Sequence, residues 1–251
     1  MRSAASPPPA PHPNGPSAVY VDVPLVALYF DNYLRHAEEI SAFRGALVNL
    51  LGREDSDWFH NHDNSDSEKG FHYRYPLVQY IPQRDQQGRW RPTLICAGTA
   101  VREYSRLFER NDWTVRLQDR HERLALREIQ PRTHRLELLP QPVRYRISDY
   151  LALNQRNVAA YHQCRGLAER IRFVECAMAG HVIALATGFG WTVPERFELT
   201  VERWREPRSL TFKRTPMLAL DFVFSTRLSL PPGLGLGKGT SVGYGRIARH
   251  K

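Results

Sequence analysis

The sequence predicts an α+β chain built as two tandem β-α-β-β-α-β halves with a glycine-rich loop near its end, and three observations predict it. Runs rich in β-branched and aromatic residues alternate with segments of helical apolar spacing in both halves. A proline-bearing, arginine-rich stretch at 131–142 separates the two. Six glycines crowd residues 233–245, just ahead of a last apolar alternation that reads as a strand.

Residues 1–17 hold Pro, Ser, Ala and Gly without an apolar run, which predicts a disordered tail and no signal peptide. Residues 19–30 read as the first strand, with Pro24 marking an edge or a bulge. Leu34, Ile40, Phe43, Leu47 and Leu51 then recur at helical spacing, and Gly52 can end that helix. After a polar segment at 55–70, residues 72–81 and 92–97 read as strands paired about a turn at 85–88. A helix is expected at 100–110 with Val101, Tyr104, Leu107 and Phe108 inward, then strands at 113–117 and 124–129. That order makes residues 18–130 a ferredoxin-like (RRM-like) unit, and 131–142 its linker to the next. Residues 143–251 read as a second, less regular unit: a strand at 143–148, helices at 154–164 and 167–187, strands at 197–204, 210–213 and 218–228, the glycine loop, and a last strand at 242–248.

At 251 residues the chain can bury a sizeable core. Its formal net charge of +9 favours a polyanionic partner. Only four of the 35 cationic side chains are lysines (Lys69, Lys213, Lys238 and Lys251); the rest are arginines, whose planar forks suit phosphates and stack on bases. Arg116, Arg120, Arg123, Arg127, Arg132, Arg135, Arg144 and Arg146 form a run able to track an RNA duplex or to pair with local carboxylates. Cys96, Cys164 and Cys176 are odd in number and lack metal-ligand spacing, so a reduced, cytoplasmic setting is expected. The apolar stretch 177–190 contains His181 and is too short to span a bilayer, so no membrane partner is expected.

The glycine loop reads Pro232-Gly-Leu-Gly-Leu-Gly-Lys-Gly-Thr-Ser-Val-Gly-Tyr-Gly-Arg246. Glycines let the backbone take positive φ and form a concave anion nest, with Lys238 as a point charge inside it. A Walker loop needs Ser or Thr after its lysine, and Gly239 stands there. A dinucleotide fingerprint needs a following helix and an acidic residue, and only six residues follow Gly245. The alternative is a floppy terminal loop. The spacing Gly235-Leu-Gly237, five residues, Gly243-Tyr-Gly245 resembles the glycine-rich loop of the RAMP superfamily of CRISPR-associated RNA-binding proteins.

A second motif narrows the resemblance. Trp58-Phe-His-Asn-His-Asp63 is followed, after an acidic stretch, by Phe71-His-Tyr-Arg-Tyr-Pro-Leu-Val-Gln-Tyr80. An H-x-H pair after the first helix, then such a strand, resembles one branch of the CRISPR repeat-RNA processing endonucleases. The resemblance implies that His60 and His62 are catalytic, that a tyrosine corresponding to Tyr73 or Tyr75 joins them, and that no metal or other cofactor takes part. It implies RNA contacts from Gly235, Gly237, Lys238, Gly239, Gly243, Gly245, Arg74 and Arg246. The implied partners are precursor and mature CRISPR RNA, with effector-complex subunits and a second copy of the chain left open.

The residue types suit that chemistry by themselves. Metal-free RNA cleavage needs a base for the 2′-hydroxyl and an acid for the 5′-oxygen, and histidine serves as either near neutral pH. The expected ends are a 2′,3′-cyclic phosphate and a 5′-hydroxyl. Other readings stay open here: a metal bound by His60 and His62 with Asp57, Asp63 or Asp66, or a solvated pair of loop histidines. Tyr73, Tyr75 and Tyr80 are base-stacking or core residues, while Arg74 and Gln79 are expected to face phosphate or base. A non-catalytic RAMP subunit that grips guide RNA would share the glycine loop but not the need for the histidines.

Overall fold

The structure, a computed structural model, describes residues 19–52 and 75–251. Its strands are β1 (Tyr20–Phe30), β2 (Val78–Arg84), β3 (Trp90–Ala97), β4 (Thr114–Leu117), β5 (Arg120–Arg123), β6 (Leu126–Tyr150), β7 (Leu199–Trp204), β8 (Arg208–Phe212), β9 (Thr215–Leu228) and β10 (Arg246–Arg249). The α-helices are α1 (Ile40–Leu51), α2 (Gln155–Gln163) and α3 (Leu167–Gly188). Eight strands form one sheet in the order β2-β3-β1-β6-β9-β7, with β10 added on β6 and β8 on β9; β4 and β5 form a separate hairpin.

Read locally, this sheet is two ferredoxin-like sheets sharing a strand. The first half runs β2-β3-β1-β6 and the second β10-β6-β9-β7, every pairing antiparallel. Residues 126–137 of β6 pair with β1, and 138–150 pair with β9. The expected linker at 131–142 is therefore strand rather than loop. Proline is compatible with extended backbone, and what it lacks is an N–H for the ladder. Pro140 and Pro142 fall in the register shift between Leu138 and Val143, where few ladder bonds are asked of them.

Two more expectations change for physical reasons. The segment expected as a helix at 100–110 winds as a 3₁₀ helix over Gly98–Glu109. Val101, Tyr104 and Leu107 lie three apart and face inward, while Arg102, Ser105 and Phe108 face out, which is the eclipsed stripe of three residues per turn. In the second half no second helix separates β9 from β10. The glycine loop takes its place with a single 3₁₀ turn at Thr240–Val242, so the last strand starts at Arg246 instead of 242.

Two cores flank the sheet. In one, Phe43, Leu47 and Leu51 of α1 pack with Leu28, Phe30, Val78 and Leu94. In the other, Val174, Met178, Val182 and Leu185 of α3 pack with Tyr145, Ile147, Phe222 and Phe224. Helix α3 is long and apolar enough to cross a membrane by length and composition alone; here this face of it lies on the sheet. Leu230, Leu234 and Leu236 of the glycine loop join the second core and reach Val23, Leu25 and Ile95 of the first half.

Ile147 sits fully buried on the shared strand, between β9 and β10. Ile147→Ala should lower unfolding free energy by about 2–5 kcal/mol. Urea unfolding followed separately by Trp90-side and Trp204-side probes should show one shifted transition; two separated transitions would show that the shared strand does not couple the halves.

Candidate nucleic-acid interface

The glycine loop connects β9 to β10 by folding back on itself. Leu236 N–H donates to Gly245 O, Ile247 N–H to Leu234 O, and Gly233 N–H to Ile247 O. Its far side is pinned to the end of β6, where Lys238 N–H donates to Leu151 O and Gly245 N–H to Asp149 O. The two arms approach so closely that a Cβ on Gly235 would lie 2.5 Å from Tyr244 O. One on Gly237, whose φ is +84°, would lie 2.7 Å from the Tyr150 ring. The glycine spacing thus serves close packing of backbone on backbone and on Tyr150. A floppy loop does not describe it: Leu234, Gly235, Leu236 and Gly237 are buried, and Lys238 alone among 233–240 is exposed.

A buried polar ring fastens this loop to the first half. Gln79, wholly buried, accepts from Gly235 N–H at 3.0 Å through its side-chain oxygen. Its amide donates to Tyr75 Oη at 2.9 Å and to Pro76 O at 3.1 Å. Tyr75 closes the ring by donating to Gly235 O at 2.8 Å. Gln79 therefore cannot face phosphate or base from the surface. Tyr75 (5% exposed) and Tyr80 (0%) are core residues rather than stacking platforms. Alternation along an open sheet would expose one face, but here both are covered: Tyr75 lies in the core with the glycine loop and Tyr80 in the core with α1.

Beneath Gly237, Tyr150 Oη and His181 Nδ1 lie 2.7 Å apart, with the ring of His181 on α3 edge-on to the tyrosine. Burial lowers the pKa of His181, favouring the neutral ring whose Nδ1 accepts from the phenol. Burial likewise lowers that of His134, against the opposing hydrogen bond to Ser229 O. Arg246, half-buried at the start of β10, has its pKa lowered by burial and then by Arg146 nearby.

His60, His62, Tyr73 and Arg74 lie outside the described residues, as do Asp57, Asp63 and Asp66. Among the described residues, no group of three His, Cys, Asp or Glu is placed to hold a metal. Several arginines of the expected RNA-tracking run are tied to carboxylates: Arg120 to Glu39 and Glu122, Arg135 to Asp22, and Arg144 to Glu202. Sequence reading missed a second basic group. Arg203, Arg205 and Arg208, sixty residues on, share an open cleft of about 370 Å³ with Arg146 and His250. The signal available was the alternation Arg203-Trp-Arg205 set against Arg144-Tyr-Arg146, which places each pair on one side of its strand.

With this geometry in view, the chain is similar to known proteins along nearly its whole length. The Cas6b N-terminal domain family matches residues 22–135 and the Cas6b C-terminal domain family residues 137–250. A solved structure described as Cas6b superposes with a TM-score of 0.74 at 20% identity, covering 92% of this chain and 100% of the other. A CRISPR RNA processing endoribonuclease Cas6b gives 0.65 at 17% identity over the same shares. Csf5, a type IV Cas6 crRNA endonuclease, gives 0.51 at 14%, again over 92% and 100%. No curated protein matches in sequence.

Replacing Gln79 with Leu strips partners from Gly235 N–H and Tyr75 Oη, and should cost about 1–3 kcal/mol. Chemical denaturation would read it, and a neutral result would mean the ring does not fasten the loop. For His181 the folded pKa lies below the unfolded value of about 6.5. The unfolded chain then binds more protons as pH falls through and below that value, so the associated stability is complete above it and lost below. Between pH 7.5 and 5.5, wild type should lose more stability in urea than His181→Gln; equal losses would contradict the burial-driven shift.

Proposed function

This chain belongs to the Cas6b family, and on that premise we propose that it is an endoribonuclease that processes CRISPR RNA, cutting precursor transcripts within the repeat without a metal. The observation that carries the reading is the Tyr75–Gln79–Gly235 ring. It ties Tyr75 and Gln79, which follow in sequence the segment bearing His60 and His62, to the glycine loop and its candidate phosphate cradle by short, buried bonds.

In this mechanism one histidine takes the proton of a 2′-hydroxyl, and that oxygen attacks the adjacent phosphorus. The P–O5′ bond breaks, and the other histidine delivers a proton to the departing 5′-oxygen. The products are a 2′,3′-cyclic phosphate and a 5′-hydroxyl. Lys238, the exposed cation of an otherwise packed loop, is suited to the extra negative charge of the transition state. Tyr75 already donates its phenol to Gly235 O, which favours Tyr73 over Tyr75 as the third catalytic candidate. Packed glycines give Lys238 a fixed backbone, from which its ammonium can reach along the loop's surface.

The test is cleavage of repeat RNA in EDTA, beside a copy carrying one 2′-deoxy sugar at the cut. Wild type should cut the first and spare the second. His60→Ala and His62→Ala should each slow cleavage by about a hundred- to ten-thousand-fold while leaving RNA binding mostly intact. Cutting only after metal is restored would refute the mechanism, and tight binding without any cutting would make the chain a non-catalytic RNA-binding subunit.

A further inference from the structure

The face of the second half's sheet that α3 leaves uncovered is an arginine surface. Tyr145 and Ile147 of β6, Phe222 and Phe224 of β9, and Ile247 of β10 all point into the core. The alternate positions therefore point the other way. Across the strands, Ala248 is in register with Arg146, Arg146 with Val223, and Val223 with Arg203. Arg205 and Arg208 extend this row into the cleft of about 370 Å³, with His250 at its side.

The charges here are spent differently from those elsewhere. Arg208 is held by Asp149 and Asp221. Arg146, Arg203, Arg205 and Arg246, by contrast, make no ion pair among the described residues. Arg246 is half-buried, and the positive charge of the exposed Arg146 nearby acts against its own. The two carboxylates lining the cleft, Asp149 and Asp221, are engaged by Arg208, so the remaining cations repel one another in the free protein and a ligand that supplies negative charge relieves that cost.

The surface between the arginines specifies the kind of contact. Val223, Ser225 and Ala248 offer no ring for a base to stack on, and Trp204 is stacked on Phe222 instead, at 5.7 Å and 15°. Such a face reads phosphate, not sequence. It also starts where the glycine loop stops: Arg246 follows Gly245 and bridges to Gly235.

We infer that this arginine face seats the sugar–phosphate backbone of RNA running on from the glycine loop, holding it without regard to base. The inference rests on the RNA-processing reading above and extends its binding surface to a group of residues far along the chain. RNA laid here leaves the loop along β10 and crosses β6 and β9 toward β7.

The test is binding of repeat RNA by Arg203→Glu/Arg205→Glu, compared with Arg165→Glu/Arg172→Glu, an equal charge change at exposed positions beside and on α3. Measured between about 50 and 200 mM salt, the cleft variant should bind more weakly for every RNA sequence. Its log–log salt slope should be shallower by about two, and the α3-side variant's should equal wild type's. Arg203→Gln/Arg205→Gln should show the same slope change, which guards against a folding defect in the charge reversal. Equal weakening by both charge-reversed pairs, or an unchanged slope in both cleft variants, overturns the inference while cleavage by wild type keeps the broader reading. A wild type that neither binds nor cuts repeat RNA removes both.

Discussion

The hydrogen-bond ladder along β6 is the constraint on which the other features rest. One strand of 25 residues lends its first half to β1 and its second half to β9, with β10 on its other edge. That arrangement fixes where the glycine loop can go. Leaving β9 beside β6 and returning to β6 through β10, the loop must cross the back of the first half's sheet. There it meets Gln79 and Tyr75, and the buried ring that joins them follows.

The loop's glycines show how one residue type answers two demands. Their spacing brings to mind an anion nest, yet the structure presses these backbones against Tyr244 O and Tyr150. The demands do not compete, because a loop locked by packing fixes the backbone from which Lys238 extends. Preorganised charge stabilises a transition state better than charge that must first be ordered. Under the proposed mechanism, the packing is what gives the lysine its use.

Much of the architecture was legible because it is written in local periodicity. The spacing of Phe43, Leu47 and Leu51 identifies α1, and the alternation of Tyr145 and Ile147 with Arg144 and Arg146 identifies a half-buried strand. What was not legible depends on partners distant in sequence. Prolines at 140 and 142 read as a linker because nothing local says that β1 and β9 hand over there. Gln79 reads as a surface amide until Gly235 arrives from more than 150 residues away. The grouping of Arg146 with Arg203 is invisible until β9 lies between them. The family resemblance was carried by two short motifs, and one of them, the histidine pair, falls outside the described residues.

The shared strand has a consequence for how this chain can be divided. The two family domains meet at residues 135–137, in the middle of β6. A unit of descent therefore ends where no unit of folding does. Cutting the polypeptide there would leave each fragment with only part of the strand and an abrupt, unprotected sheet margin, the kind of margin that recruits other chains into aggregates. Selection acting on either half must then preserve the seam as well, and recombination that swaps one half for a relative's has to match strand register across the join, not merely supply a compatible surface.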